Sequence, residues 1–391
     1  MTGAHDAVAR ILVVDDNEAN RDLLVRRLQR EGHSTALAVD GREALALLLE
    51  DAFDLVLLDI MMPEMNGYEL LERMRADPDL RHVPVILISA LDGTDSIIKG
   101  IELGADDYLP KPFNLHILRA RVNASLARKR LHDREQLYAR SLEREMDIAR
   151  EIQAGFLPGE LPVAAGWELA AWFQPARHVS GDFYDAFALH GGQRIGLVVA
   201  DVCGKGVGAA LFMALFRSLV RALAERMFTH DGDCAAQARQ LVGSVNDYIA
   251  RTHDRDHMFA TLFFATLDPG TGALFYVNGG HEAPTISGRD GVHRRLAPTG
   301  PAVGMLPDMA FKAVRETIAP GETLVAFTDG VTDAVDAGGT RYSEQRLMAL
   351  LARPAGSADE TLRRIQAEVQ TDAGHASFDD ITVFVVHRQA G

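Results

Sequence analysis

The stretch from about Asn114 to Pro158 constrains this chain most, because it has no glycine before Gly155 and no proline before Pro158. A charged run of this length is typical of one long helix, since glycine and proline are the residues that most often end helices. Apolar or small residues recur along it, mostly three, four or seven positions apart: Leu131, Tyr138, Leu142, Ala149, Ile152 and Phe156. The pattern predicts a narrow apolar seam on a charged rod.

Two interpretations of this seam stay open. Arg128, Glu135 and Glu145 interrupt it, which is compatible with a solitary, solvated helix. The spacing favours a short parallel coiled coil that pairs two copies of the chain. We therefore predict a homodimer joined through a helical linker over residues 126–157, with one domain before it and one after it.

Length and composition limit the classes of partner. A chain of 391 residues suggests two or three domains. Its net charge of −15 argues against nucleic acid or an anionic membrane as the main partner.

Cys203 and Cys234 follow no metal-ligand spacing and fit a reducing cytosol. The N-terminal MTGAHDAVAR lacks the apolar core of a signal peptide and the apolar runs look strand-sized, so a cytoplasmic protein is expected.

Residues 1–125 alternate short apolar runs with helical patterns, beginning with the run from Ile11 to Val14 and the helical pattern from Glu18 to Arg30. Five such alternations predict an α/β domain with a doubly wound parallel sheet. Ligands of these sheets bind beyond the carboxyl ends of the strands. Five polar residues fall at those ends: Asp15, Asp16, Asp59, Ser89 and Lys111.

These five residues suit metal-assisted phosphoryl transfer. Three converging carboxylates repel one another, and a hard divalent cation, naturally Mg²⁺, relieves that repulsion. One carboxylate can then attack phosphorus while a lysine ammonium and a hydroxyl hold the remaining phosphate oxygens. Any single aspartate here would more simply be a turn or cap residue. Three aspartates, a serine and a lysine together at the strand ends favour the functional interpretation.

The segments VVDD, LLDIMMPEMNG, ISA and PKPF resemble a bacterial response-regulator receiver domain over residues 9–125. The resemblance implies a flavodoxin-like fold, a cis Lys111–Pro112 peptide, and a sensor histidine kinase as phosphodonor. It implies the following roles by position: Asp59 as phosphoacceptor, Asp15, Asp16, Asp59 and the Met61 carbonyl for Mg²⁺, Ser89 and Lys111 for the phosphate, and Tyr108 as an aromatic switch.

Residues 158–391 show a different sequence pattern, which includes β-hairpin signals such as the turn from Asp268 to Gly272. They predict an α/β sandwich in which two sheets lie between helical layers. The predicted strands are Trp167 to Phe173, Arg194 to Ala200, Ala260 to Leu267, Ala273 to Val277, Thr323 to Ala326 and Ile381 to Val386. The predicted helices are Ala209 to Ala224, Ala235 to Ala250, Ser343 to Leu351 and Ala358 to Asp372.

Acidic residues end several of these strands: Asp182 in VSGDFYD, Asp201 in VVADVCGKG, Asp329 in FTDGVTD, and Asp379 with Asp380 in FDDIT. Each motif alone is most simply a turn. Four of them in one domain suit Mg²⁺ or Mn²⁺ better than zinc, because all the ligands are oxygens. Two such ions roughly 4 Å apart can share a water and lower its pKa for attack on phosphorus.

The segments EIQAGFLP, GDFYD, DVCGKG, NGGHEAP, FTDGVTD and DDIT resemble the type 2C family of metal-dependent serine/threonine protein phosphatases over about 150–388. The matching branch contains sporulation stage II protein E and stress-response regulators of sigma factors. The resemblance implies two Mn²⁺ or Mg²⁺ ions held as follows: Asp201 bridging both, Asp182 and the Val202 carbonyl on one, Asp329 and Asp379 on the other, and Asp380 as an additional ligand.

Two positions depart from the family pattern. Cys203 stands where many relatives carry a histidine thought to act as general acid, so protonation of the leaving group is unassigned. The usual NAGH reads NGGH, in which His281 is as compatible with a structural role as with a substrate contact. Arg177 and Lys205 could hold substrate phosphate, although solvated surface charges are the simpler interpretation.

The combination of a receiver domain, a helical linker and a phosphatase domain predicts a two-component response regulator whose phosphorylation at Asp59 activates the phosphatase. Its substrate would be a phosphoserine or phosphothreonine protein, and the resemblance suggests a phosphorylated anti-sigma-factor antagonist in a partner-switching pathway. Two alternatives stay open: a non-enzymatic scaffold that binds its partner in a phosphorylation-gated way, and a receiver that suppresses the phosphatase.

Overall fold

The computed structural model describes residues 8–90, 94–229, 232–253, 257–335, 341–373 and 379–390. Residues 1–7, which contain most of the segment used to argue against a signal peptide, lie outside the described residues. The chain divides into two compact units, Met1–Leu142 and Glu143–Gly391, and each is described by itself.

The first unit contains a five-stranded parallel sheet in the order β2-β1-β3-β4-β5. Its strands are β1 Arg10–Val14, β2 Ser34–Ala38, β3 Leu55–Asp59, β4 Val85–Ser89 and β5 Asp107–Pro110. Strands β3 and β4 are buried along their whole length, as expected of a parallel sheet covered on both faces. The predicted doubly wound α/β domain is confirmed.

Helices cover both faces of this sheet. They are α1 Glu18–Arg30, α2 Gly41–Glu50, α3 Gly67–Ala76, α4 Thr94–Glu102 and α5 Leu115–Ala154. Successive residues of β1 point to opposite faces, so Leu12 joins the core beside α2 and α3 while Val13 joins the core beside α1 and α5. A capping box between Asn66 and Glu69 fixes the start of α3 just after β3, close to the strand end that carries Asp59.

Helix α5 is continuous over 40 residues, which confirms the long helix predicted from the absence of glycine and proline. Its first turns bury Leu118, Val122 and Leu126 in the core of the first unit. Farther along, four of the six predicted seam residues are exposed: Leu131 by 59%, Tyr138 by 74%, Leu142 by 47% and Ile152 by 61%. Ala149 is half-buried, and Phe156 lies beyond the end of α5 and packs against the core of the second unit, so its place in the seam was predicted wrongly. The predicted linker over 126–157 lies almost wholly within α5, but its limits and its pairing with a second copy stay predictions.

The second unit contains two antiparallel five-stranded sheets, in the orders β13-β10-β9-β8-β7 and β12-β11-β14-β15-β6. The strands of the first sheet are β7 Asp182–Leu189, β8 Arg194–Val202, β9 Ala260–Leu267, β10 Ala273–Gly279 and β13 Val314–Thr317. Those of the second are β6 Trp167–Gln174, β11 Thr285–Gly288, β12 Gly291–Arg295, β14 Thr323–Phe327 and β15 Ile381–Arg388.

Helices flank the two sheets, which confirms the predicted α/β sandwich. They are α6 Val207–Met227, α7 Cys234–Thr252, α8 Asp329–Thr332, α9 Glu344–Leu351 and α10 Ala358–Ala373. Neighbouring residues of β9 show the layering, since Phe264 faces the core beside α6 and α7 while Phe263 faces the core between the sheets. On the far side, Val383 of β15 packs in the core beside α9 and α10.

Helix α6 differs from the prediction that the apolar runs are strand-sized. Within the described residues it is the one helix long and apolar enough to span a membrane by length and composition. Five of its side chains are nevertheless buried in the core of the second unit: Ala209, Met213, Phe216, Val220 and Ala224. Its Arg217 also pairs with the buried Asp185 at 3.1 Å. We therefore interpret α6 as a core helix.

Candidate functional sites

The first site lies at the carboxyl edge of the parallel sheet. Asp15 directly follows β1 and Asp59 is the last residue of β3, its neighbour in the sheet. Carboxylate oxygens of Asp15, Asp16 and Asp59 lie within 4.8 Å of one another. Asp15 and Asp59 are buried while Asp16 is exposed to solvent. The fold thus gathers the three predicted carboxylates, as parallel strands do at one sheet edge.

Lys111 bridges two of these carboxylates. Its Nζ donates to Asp15 Oδ2 at 2.8 Å and to Asp59 Oδ2 at 2.7 Å. Burial raises the pKa of the Asp59 carboxyl, and the bond from Lys111 opposes that rise. The following Lys111–Pro112 peptide is cis, as the resemblance implied. Lys111 is therefore held against the predicted phosphoacceptor.

The other predicted residues of this site also lie at or near the strand ends. Ser89 is the fully buried last residue of β4, and its carbonyl accepts from the Lys111 amide at 2.7 Å. Tyr108 of β5 is buried in the core beside α2 and α3. The Met61 side chain is exposed in the loop after β3, so its implied role depends on its carbonyl.

Two side chains that hold Asp15 were missed from the sequence. Asn20 Nδ2 donates to both Asp15 oxygens at 3.2 Å, and Arg21 donates to the Asp15 carbonyl at 2.6 Å. Both belong to the first turn of α1, and the amide of Asn17, the N-cap residue just before α1, also donates to Asp15 Oδ1 at 2.9 Å. Their positions, five and six residues after Asp15, are the sequence feature that could have indicated these contacts.

The second site is organised by the pairing of β7 with β8, in which Asp182 lies directly opposite Asp201. Asp182 is only 2% exposed. Its Oδ2 accepts from Thr328 Oγ1 at 2.6 Å and from Thr382 Oγ1 at 2.8 Å. Both threonines sit inside the predicted acidic motifs FTDGVTD and DDIT but were missed. They fix one oxygen of the buried Asp182 carboxylate beside the strand ends that carry the acidic motifs.

Strand pairing in the other sheet brings the remaining predicted aspartates to the same region. Asp329 follows the end of β14, while Asp379 and Asp380 precede the start of β15, its antiparallel partner. Burial, reinforced by the charges of Asp329 and Asp379, raises the pKa of Asp201 to about 7. Burial and the charge of Asp201 likewise raise the pKa of Asp182 well above its usual range.

The donor set of the second site fits hard divalent cations. Its aspartates offer oxygen ligands only, and burial and mutual repulsion penalise their charged forms. Both penalties would be relieved by a divalent cation. Across the described ranges only the three carboxylates of the first site gather within 4.8 Å, so the second set is more widely spaced.

Asp380 already has partners for both of its carboxylate oxygens. Oδ1 accepts from the Ala176 amide at 2.7 Å and Oδ2 from the Gly181 amide at 2.9 Å. These bonds fix the loop that leads into Asp182. Asp380 therefore organises the backbone beside the site, whereas its role as an additional ion ligand stays a prediction.

Lys205 contacts the site, in contrast to the simpler interpretation as a solvated charge. Its Nζ donates to Asp379 Oδ2 at 2.9 Å. Both side chains are partly exposed. A lysine beside an acidic cluster is a suitable donor to a phosphate that approaches from solvent.

His281 has a structural environment. It is buried, its Nδ1 lies 2.8 Å from Thr261 Oγ1, and its backbone amide donates to Asn278 Oδ1 at 2.8 Å. Burial lowers the pKa of His281 to about 4, so the ring is neutral at pH 7. Cys203 accepts from the Phe259 amide at 3.3 Å, which ties the end of β8 to the start of β9.

Two family models match the chain. Residues 191–389, just over half of its 391 residues, match the model described as Stage II sporulation protein E. Residues 11–123 match the model described as response regulator receiver domain. The two matches fall on the two compact units.

Among curated proteins, Protein IcfG of Synechocystis sp. is 43% identical over 265 residues, covering 62% of this chain and 41% of that protein. Response regulator PleD of Caulobacter vibrioides is 34% identical over 262 residues, covering 64% of this chain and 58% of that protein. This chain thus spans about half the length of these relatives. The SiaA-PP2C domain of Pseudomonas aeruginosa has the same fold, with a TM-score of 0.54 and 21% identity over 64% of this chain and 98% of that structure.

Proposed function

The chain belongs to the Stage II sporulation protein E family and carries a response regulator receiver domain, and from this premise we propose that phosphorylation of Asp59 controls hydrolysis of a phosphoprotein. The observation that carries the proposal is the placement of Asp182 opposite Asp201, with Asp329 and Asp379 brought to the same region. We assign the substrate residue as phosphoserine or phosphothreonine.

In the phosphatase domain, Asp201 would bridge two Mn²⁺ or Mg²⁺ ions. Asp182 and the Val202 carbonyl would complete the shell of one ion, and Asp329 and Asp379 that of the other. Ions bound there supply charge stabilisation and an activated water for attack on phosphorus. Thr328 and Thr382, both donors to Asp182 Oδ2, hold that carboxylate in place.

We assign different ligands to Asp379 and Lys205: an ion to Asp379 and the substrate phosphate to Lys205. Lys205 Nζ donates to the Asp379 carboxylate. Asp379 would be among the residues that hold a cation, and the Lys205 ammonium would donate to an oxygen of the substrate phosphate. The bond to Asp379 raises the pKa of Lys205 and so makes its ammonium a weaker acid, and protonation of the leaving group is therefore not assigned to it.

In the receiver domain, Asp15, Asp16, Asp59 and the Met61 carbonyl would hold Mg²⁺, and a sensor histidine kinase would donate the phosphoryl group. Such an ion neutralises charge during phosphoryl transfer. Lys111 already donates to Asp59 Oδ2 at 2.7 Å. A phosphoryl group on Asp59 would therefore lie within reach of Lys111. From the family resemblance we assign the Ser89 hydroxyl as a second phosphate partner and Tyr108 as the aromatic switch.

We propose that the signal passes along α5 in a homodimer. The exposed apolar seam that includes Leu131, Tyr138 and Leu142 supports pairing of two copies, since such a stripe is buried in coiled coils. Receiver phosphorylation would change this pairing and raise phosphatase activity. The proposed setting is the cytoplasm, with a phosphorylated anti-sigma-factor antagonist as substrate and with neither nucleic acid nor membrane as partner.

Phosphate release from p-nitrophenyl phosphate in Mn²⁺ tests the enzymatic proposal. The wild type should turn over the substrate, and Asp201→Asn should lower the rate by at least about 100-fold because removing a metal-bridging charge disables the site. Equal rates in both proteins at the metal-independent background would instead support a phosphorylation-gated binding scaffold.

A further inference from the structure

A buried glutamine in the last turn of α5 makes polar contacts with the phosphatase domain. Gln153 is only 6% exposed, whereas Ile152 and Ala154 on either side are exposed. Its Nε2 donates to the Ser180 carbonyl at 2.6 Å, and its Oε1 accepts from the Ser180 amide at 2.9 Å. The side-chain amide thus satisfies both polar groups of one buried backbone residue.

Ser180 leads directly to the site. Its Oγ accepts from the Asp182 amide at 3.0 Å, and the intervening Gly181 donates to Asp380 Oδ2 at 2.9 Å. A Cβ at Gly181 would lie 2.7 Å from the Val202 carbonyl oxygen, so the loop is packed against a second proposed ligand. Residues 180–182 are therefore held in place by Gln153, Asp380 and the end of β8.

The attachment depends on the rotational position of the helix. One residue of an α-helix corresponds to a rotation of about 100°. Such a rotation would bring Ile152 or Ala154 to the position of Gln153, and neither side chain can bond to the Ser180 backbone. Residues Phe156 and Leu157, just beyond the helix, pack against the core beside α6 and α7, so the helix end is fixed by both apolar and polar contacts.

We propose that Gln153 is a positioning residue through which the end of α5 sets the affinity of the Asp182 loop for divalent cations. When the helix end turns away, the Ser180 amide and carbonyl lose their partners and the loop carrying Asp182 shifts, because buried backbone groups without hydrogen bonds are unstable. This inference rests on the proposed function in taking Asp182 as an ion ligand, and it names how that site is regulated.

Hydrogen–deuterium exchange of the full-length protein, followed over residues 176–189 as Mn²⁺ is added, tests the inference locally. In the wild type, Mn²⁺ should protect this segment at a defined midpoint concentration. Gln153→Leu should raise the midpoint about 10-fold, because two net-favourable hydrogen bonds are lost. Glu151→Ala, an exposed change in the same helical turn, should leave it unchanged.

A milder variant keeps the test decisive if Gln153→Leu folds poorly. In Gln153→Glu the carboxylate can still accept from the Ser180 amide but cannot donate to its carbonyl. The midpoint should again rise, and saturating Mn²⁺ should restore protection in both variants. Acetyl phosphate should shift the midpoint in the wild type and leave it unchanged in Gln153→Leu.

Unchanged midpoints in both Gln153 variants, or a wild type whose segment does not respond to Mn²⁺, would overturn the inference. Failure of the proposed function has a different signature. If Mn²⁺ protects the segment with the predicted dependence on Gln153 but no protein releases phosphate from p-nitrophenyl phosphate, then the inference stands and the phosphatase proposal is wrong.

Discussion

At the scale of single residues, Asp201 connects stability with ion binding. Its pKa is raised to about 7, first by burial and then by the charges of Asp329 and Asp379. Without a bound ion, the Asp201 carboxyl of the folded protein therefore stays protonated to a higher pH than in the unfolded chain, where it releases its proton near pH 3.8. This contribution to stability is complete below the unfolded pKa and is lost as the pH rises through about 7.

The thermal midpoint measured in EDTA should accordingly fall between pH 6 and pH 8. Asp201→Asn removes the charge and should stabilise the ion-free protein at pH 8 by about 2 kcal/mol, or roughly 5 °C. The same variant should lose the stabilisation that Mn²⁺ gives to the wild type. Asp290→Asn, in the exposed turn between β11 and β12, is the control, and equal midpoints for both variants at pH 8 would contradict the assignment.

The hydroxyl of Thr382 should matter for ion binding more than for folding. It donates to Asp182 Oδ2 at 2.8 Å, and Thr382→Val removes the donor with little change in shape. We expect the Mn²⁺ concentration at half-maximal phosphatase rate to rise about 10-fold, because hydrogen bonds to charged groups are the stronger ones. Initial rates across a Mn²⁺ series measure this.

Thr266→Val is the matched control for that substitution. Thr266 is a buried threonine of β9 whose hydroxyl has no hydrogen-bond partner among the described residues. Its replacement should leave the Mn²⁺ dependence unchanged. Similar shifts in the two variants would show that Thr382 acts through general packing and not through Asp182.

The site residues that could be predicted from the sequence differ from those that could not in what relates each residue to its partner along the chain. Asp15, Asp59 and Lys111 could be predicted together, because a parallel sheet carries successive strand ends to one edge. The contact of Thr382 with Asp182 spans 200 positions, and that of Gln153 with Ser180 spans 27. Neither spacing has a local periodicity, so only the fold could reveal these supporting residues.

At the scale of elements, the seam of α5 should mediate dimerisation. Replacing Leu131, Tyr138 and Leu142 together by glutamate would place charges along the exposed apolar stripe and should abolish pairing. Light scattering coupled to size-exclusion chromatography should show a dimer for the wild type and a monomer for the triple variant. We expect apparent dimer affinity to fall by at least about 100-fold.

Arg134→Glu changes an exposed polar position on the same helix and serves as the control, because it should retain the dimer. A wild type that is monomeric at high concentration in both phosphorylation states would contradict pairing through α5. It would instead support the solitary, solvated helix that the interruptions at Arg128, Glu135 and Glu145 allow.

Most helices and the long strands could be predicted from periodicity, but several strands of the second unit could not. Strand β7 was missed because its two aspartates resemble turn signals. The structure explains one of them, since Asp185 is buried against Arg217 of α6 at 3.1 Å. Strands β11 to β13 have only four or five residues each, too few for a clear alternation, and they lack the apolar runs that mark the equally short β3 and β4.

At the scale of the whole molecule, two acidic sites of different architecture occur in one chain. The receiver site uses the ends of parallel strands, and the phosphatase site uses the ends of strands from two antiparallel sheets. Helix α5 is the continuous element between the strands of the two domains. Allosteric couplings typically amount to about 1 to 3 kcal/mol, or a factor of roughly 5 to 150. A coupling of this size is enough for receiver phosphorylation to switch the phosphatase on if the unphosphorylated enzyme is slow.

The central claim is that Asp59 controls the phosphatase, and the most direct test is the rate of phosphate release in Mn²⁺ before and after treatment with acetyl phosphate. Wild type should accelerate by at least about 5-fold, while Asp59→Ala should not respond. Asp201→Asn should be inactive in both conditions. An unchanged or lower wild-type rate after verified phosphorylation of Asp59 would contradict activation by the receiver.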